Sequence, residues 1–146
     1  MCGIAGLVHA DPRYPLDRDL LNRMTGSLAH RGPNAQGLQT WPGAALGHRR
    51  LSIIDLATGD QPIFSEDRRK AVILNGEIYN FQALRRQLKG RGHHFSTRSD
   101  TEAIVHAYED FGSRCVEPLE GMFAFALWDE DHPRLLLARD RVGKKP

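Results

Sequence analysis

Two apolar runs near the end of the chain, GMFAFALWD at Gly121 to Asp129 and LLLARD at Leu135 to Asp140, constrain the fold most. Both are apolar at odd and even positions alike, so neither presents a face suited to water. Each is expected to be a central strand of a sheet covered on both sides. Candidate covering helices lie upstream. Asp17 reads as the cap of a helix whose stripe is Leu20, Leu21, Met24 and Leu28. Asn80 reads as the cap of a second, with Phe81, Leu84 and Leu88 on one face. Ser99 to Glu102 has the capping-box pattern of a third, with Ile104, Ala107, Tyr108 and Phe111 inward and Gly112 at its end.

Further strands are predicted at Cys2 to Val8, Leu38 to Trp41 and Ala45 to Asp55, the last two separated by a turn at Pro42-Gly43. Ala71 to Leu74 reads as a short strand ending in a tight turn at Asn75-Gly76, a dipeptide that tolerates positive φ. The pattern is layered α+β with antiparallel pairing around the turns. At 146 residues, 40% hydrophobic and 26% charged, the chain has the makings of one globular domain. A net charge of +2 with short, scattered basic clusters speaks against nucleic acid. The apolar start CGIAGLV is too short for a membrane span. Two distant cysteines and no disulfide framework suit a reducing cytoplasm.

Cys2 carries the chemical question. With Met1 removed, it holds a thiol and a free α-amine on one residue. An unperturbed thiol, with a pKa of about 8.5, is mostly protonated at neutral pH and needs a base to act as a nucleophile. An α-amine, with a pKa of about 7.7–8.0, can accept that proton. From position alone, a small core residue is the commoner role for such a cysteine. Attack on an acyl group creates an oxyanion that needs preorganised donors, and Asn75 and Gly76 offer an amide and a glycine N–H. An ordinary hairpin turn is the competing reading there. Arg50, an arginine within an apolar strand, implies an anionic partner, either Asp55 or Asp60 or a substrate carboxylate. Asp100 either opens a helix or pairs with a substrate ammonium. Together these groups suit an α-amino acid with a reactive side-chain acyl group. The seven histidines form no metal signature, and His93 and His94, being adjacent, face different ways. No metal is expected. Cys115 follows a helix end with no base beside it and reads as packing.

The motifs MCGI, HRGPNAQG, GHRRLSIIDL, LNGEIYNF, RSDTE, GMFAFALWD and ARDRVGKKP run in this order over essentially the whole chain. The set resembles the class II glutamine amidotransferases, and within them the asparagine synthetase branch. The resemblance implies an N-terminal nucleophile hydrolase fold, a four-layer αββα sandwich of two antiparallel sheets. It implies loss of Met1 and hydrolysis of L-glutamine at Cys2 through a γ-glutamyl thioester, with Asn75 and Gly76 as the oxyanion hole. Arg50 would hold the α-carboxylate, the backbone of Leu51, Ser52, Ile53 and Ile54 would line the pocket, and Glu77 and Asp100 would hold the α-ammonium. No cofactor is expected for this domain. ATP and Mg2+ belong to a synthetase domain expected in cis, which residues 1–146 do not include, and the ending RDRVGKKP reads as a domain cut before its end. Asn34 stands where the family most often has Asp. Alternatives are an acceptor other than aspartate, in polysaccharide or secondary metabolism, and a non-catalytic glutamine-binding module. A homodimer stays open, since no coiled-coil seam or interface stripe is visible.

Overall fold

The computed structural model describes residues 2–52, 55 and 57–146. Two antiparallel sheets face each other. The first has β1 (Gly3–Val8), β2 (Ala35–Trp41) and β3 (Ala44–Arg50) in the order β1-β3-β2. The second has β4 (Ile63–Phe64), β5 (Lys70–Ile78), β6 (Gly121–Asp129) and β7 (Arg134–Arg139) in the order β4-β5-β6-β7. Helix α1 (Arg18–Ser27) packs on the first sheet, and α2 (Phe81–Gly90) and α3 (Thr101–Phe111) cover the second.

Strand alternation builds these layers. On β5, Val72, Leu74 and Ile78 point at Leu84, Leu88, Ile104 and Ala107 of the helices. Ile73, one residue out of phase, joins Ala44 and Leu46 of β3 and Ala126 and Trp128 of β6 between the sheets. Gly47 of β3 lies under α1, where a Cβ would stand 2.0 Å from Thr25 Oγ1. The α+β sandwich αββα is therefore observed. A buried histidine stitches its two sheets together: His48 Nε2 donates to Leu74 O at 3.1 Å, and burial lowers the imidazole pKa to about 4. It is thus a neutral donor at physiological pH.

Several local expectations are corrected. β3 stops at Arg50, not Asp55, because its partners end there: Ala35 of β2 faces Arg50 and Gly3 of β1 faces Arg49. Strand β1 starts at Gly3 and is an edge strand with alternate residues exposed. β6 is central and buried, whereas β7 is an edge strand, with Leu137 68% exposed. Asn75-Gly76 forms no turn. β5 runs straight through both residues, paired with Ala124 and Phe123 of β6. Asp17 caps α1 as expected, accepting from Leu20 N at 2.9 Å. Leu20 itself faces solvent, and the stripe passes instead through buried Thr25, whose hydroxyl donates to Leu21 O at 2.8 Å. Asn80 makes no side-chain cap on α2. Its amide donates to Pro118 O and accepts from Glu120 N, holding the approach to β6.

The capping box of α3 is also redirected. Glu102 reaches back past Ser99 and accepts from the backbone N–H and hydroxyl of both Ser96 and Thr97 at 2.6–2.9 Å. Burial alone would raise the Glu102 pKa, but His106 and these donors outweigh it and hold the carboxyl at about 2. A pKa below the ordinary glutamate value of 4.5 contributes stability that is present above pH 4.5 and lost as pH falls towards 2. The urea midpoint is expected to fall across that window, and Glu102→Gln should start lower and flatten the acid limb. Urea melts of both chains between pH 5 and 2 check this.

Candidate active site

One cavity of about 100 Å³ gathers residues from separate segments of the chain, among them Cys2, Arg50 and Leu51, Asn75 to Glu77, Ser99 to Thr101, and Lys145. Cys2 is half-buried, immediately before β1. Its thiol lies along the chain that leaves β3: Leu51 N–H points at Sγ over 3.4 Å, and Sγ faces Leu51 O at 3.8 Å. Arg31 Nε donates to Cys2 O at 3.1 Å, anchoring the residue's backbone.

Asn75 and Gly76 reach the cavity from the middle of β5. Asn75 is 2% exposed, and its Oδ1 is buried with no hydrogen-bond partner. A buried amide in that state is costly unless a ligand completes it. Gly76 is required by close packing and not by positive φ. A Cβ there would lie 2.2 Å from Met122 O and 2.6 Å from Phe123 Cα of the adjoining strand. Glu77, partly exposed, follows on the same strand.

Asp100 stands at the entry to α3, 5% exposed, with Oδ2 accepting from Ile78 N at 2.8 Å. Both readings of this residue hold at once, since it opens the helix and lines the cavity. Burial raises its carboxyl pKa, backbone donors counteract, and the nearby Glu77 raises it again. Two carboxyl groups so placed favour a cationic partner.

Arg50 is held at the cavity wall with its guanidinium nearly buried. Nη1 pairs with Asp60 Oδ1 at 2.6 Å, and Nη2 donates to the backbone carbonyl of Asp55. Asp60 is thus an anionic partner of Arg50 among the described residues. The Asp55 carboxylate instead caps its own turn through Thr58 N at 3.0 Å and accepts from Arg98 N at 2.7 Å. The five N–H donors of a guanidinium allow one group to serve Asp60 and a ligand together.

Ser52 N donates to Asn34 Oδ1 at 3.0 Å, and Asn34 N donates to Arg50 O at 3.0 Å. An amide oxygen performs this bond as a carboxylate would, so asparagine after HRGP keeps the loop tied. Ile53 and Ile54, expected to line the pocket, lie outside the described residues, as does Met1. Cys115 is fully buried in the helix-side core, and burial pushes its thiol up to about 12. It packs, as expected.

Gln61, Met122 and Lys145 line the cavity without having been singled out in the sequence. Gln61 Oε1 accepts from Leu74 N at 2.6 Å and its Nε2 donates to Thr101 Oγ1 at 3.2 Å, tying β5 to α3 behind the site. Lys145 is buried at the chain's end, its backbone held by Asp140, which also accepts from Phe123 N. The motif ARDRVGKKP was a signal for Lys145, but only the turn at Asp140 brings it to the cavity.

Among the described residues, no helix is long and apolar enough to cross a membrane. The structure is similar to that of a glutamine phosphoribosylpyrophosphate amidotransferase from B. subtilis, with a TM-score of 0.72 over 94% of this chain and 37% of the other, at 22% identity. The two share a fold. In sequence, the chain is 40% identical to "asparagine synthetase [glutamine-hydrolyzing] 3" of Bacillus subtilis over its whole length, covering 24% of that protein. It is 42% identical to the Arabidopsis thaliana protein of the same name, again over its whole length and 25% of the relative. The chain therefore spans about a quarter of the curated relatives it matches. The family model described as "Glutamine amidotransferase domain" matches residues 1–146. On a match that covers every residue, and with a fold shared by an amidotransferase, this chain belongs to the glutamine amidotransferase domain family.

Proposed function

We propose that the chain hydrolyses L-glutamine to glutamate and ammonia with Cys2 as nucleophile. The observation that carries this reading is the convergence of Cys2, Asn75, Gly76, Glu77, Asp100 and Arg50 on one cavity. Glutamine has a complement for each: an α-carboxylate for Arg50, an α-ammonium for Asp100 and Glu77, and a side-chain amide for Cys2 and Asn75.

The reaction needs only protein groups and water. The α-amine of Cys2, free once Met1 is removed, takes the thiol proton. Sγ then adds to the amide carbon, whose oxygen becomes the oxyanion held by the Asn75 amide and the Gly76 N–H. Collapse of this adduct breaks the C–N bond. The α-ammonium returns its proton to the leaving nitrogen, and ammonia departs. Water adds to the γ-glutamyl thioester with the amine as base, the C–S bond breaks, and glutamate leaves with the thiol restored.

The ammonia is proposed to serve ATP-dependent amidation of aspartate in a synthetase domain in cis, where ATP and Mg2+ would act. Support comes from the asparagine synthetase names of the relatives and their greater length. A reducing cytoplasm suits the two free cysteines.

Mass spectrometry of the N-terminus combined with a coupled glutamate assay tests the reading. A chain beginning at Cys2 should release glutamate and ammonia in equal amounts, whereas a form retaining Met1 should be inactive. A processed, folded chain without glutamate release would refute it.

A further inference from the structure

A second cluster of chemically capable side chains lies apart from the Cys2 cavity. Glu66 from the β4–β5 turn, His93 from the α2–α3 connection and His106 from α3 each offer one ligand atom, and these atoms lie within 4.8 Å of one another. An adjacent cavity of about 440 Å³ is lined by Glu66, Glu102 and His106.

The geometry around the imidazoles resembles a metal shell. His106 is buried, its Nδ1 lies 2.8 Å from Glu109 Oε2, and its Nε2 has no hydrogen-bond partner. Glu102 Oε1, at 3.8 Å from that nitrogen, already accepts from Ser96. His93 Nε2 lies 3.0 Å from Asp110 Oδ1. A histidine whose one nitrogen is oriented by a carboxylate presents the other to an ion, as His106 does; on His93 the second nitrogen, Nδ1, lies 3.4 Å from Glu109 Oε2, a contact that an ion would replace. Charge favours a cation as well. Glu66, Glu102, Glu109 and Asp110 surround the two imidazoles, while Arg91, 3.5 Å from Asp110, answers only one of them.

The geometry points to a binding site for a divalent first-row transition ion of the zinc class, ligated by Glu66, His93 and His106. Two imidazoles and a carboxylate suit zinc better than magnesium or calcium, which prefer all-oxygen shells. Tetrahedral ligation sets donor atoms roughly 3.3 Å apart. Glu66 Oε1 accepts from His94 N at 2.6 Å, and the second carboxylate oxygen of this half-exposed side chain is the one to close that gap. Bound there, the ion would clip the β4–β5 turn and the α2–α3 connection onto α3.

The test is Zn2+ calorimetry on the full, tag-free chain carrying Cys2→Ala, because an N-terminal cysteine chelates zinc by itself. Visible absorption of Co2+ in the same protein reports coordination by imidazole nitrogen. One ion per chain is expected, with a raised Tm, and Glu66→Gln and His93→Gln should each weaken binding about tenfold or more. Glu66 is surface-placed, so its substitution leaves folding intact and keeps the result interpretable where His106→Gln unfolds the chain. Absence of stoichiometric uptake, or affinity unchanged in both Glu66→Gln and His93→Gln, would overturn the proposal.

Discussion

Cys2→Ala should abolish glutamine hydrolysis, by roughly 10⁴-fold or more, because among the described residues lining the cavity Cys2 alone carries a thiol to form the thioester. Binding should survive. The substitution leaves Arg50, Asp100 and Glu77 in place, so calorimetry should still detect glutamine, now without the slow heat of turnover. Cys115→Ala provides the contrast: that thiol is fully buried and held up to about 12, so it is neither ionised nor reachable. Its removal should cost stability through a small core cavity and leave turnover per folded molecule unchanged. Alkylation should accordingly inactivate by modifying Cys2 alone. Undiminished turnover in Cys2→Ala, or inactivation that maps to Cys115, would reverse the assignment.

Asn75→Ala should lower kcat by about 10²–10³, the usual cost of losing one preorganised oxyanion donor, with a much smaller change in KM. The split follows from when the charge exists. Glutamine's ground-state carbonyl is neutral, and the amide of Asn75 matters most once Sγ has added. Single-turnover kinetics with a folding check by circular dichroism would measure it. A loss confined to KM would move Asn75 from oxyanion donor to simple binding contact. Gly76→Ala is the poorer probe, because its Cβ would collide with Met122 O and displace β5 from β6. Any loss of activity there would mix chemistry with misplacement of the strand.

The Asn75-Gly76 pair shows how local signals misled. Read alone, asparagine followed by glycine favours a turn, because both tolerate positive φ. In the fold, a nine-residue ladder with β6 pulls both residues into extended backbone. Pairing across more than 40 residues of intervening chain is invisible to a dipeptide preference. The Glu102 box failed for a related reason. Its spacing to Ser99 was right, but the loop at Ser96 and Thr97 supplied four donors at once, against the single N–H of a capping box. Strand positions relative to the sheet edge were likewise hidden, since both faces of β7 are apolar while one of its backbone edges stays unpaired.

Residue chemistry and motif order, both properties of the sequence, determined the candidate nucleophile, its base, the amide donor and the charged partners of an amino acid. They also implied the two-sheet sandwich, through the resemblance those motifs carry. Tertiary structure alone decided how those groups meet. It showed that Asp60 and not the Asp55 carboxylate faces Arg50, and that Lys145 and Gln61 belong to the cavity. It also brought together Glu66, His93 and His106, which share no motif. The physical reason is the range of the forces involved. Acidity, nucleophilicity and capping act within a residue or a turn, whereas a cavity forms where distant segments are pressed together by burial of the faces behind them.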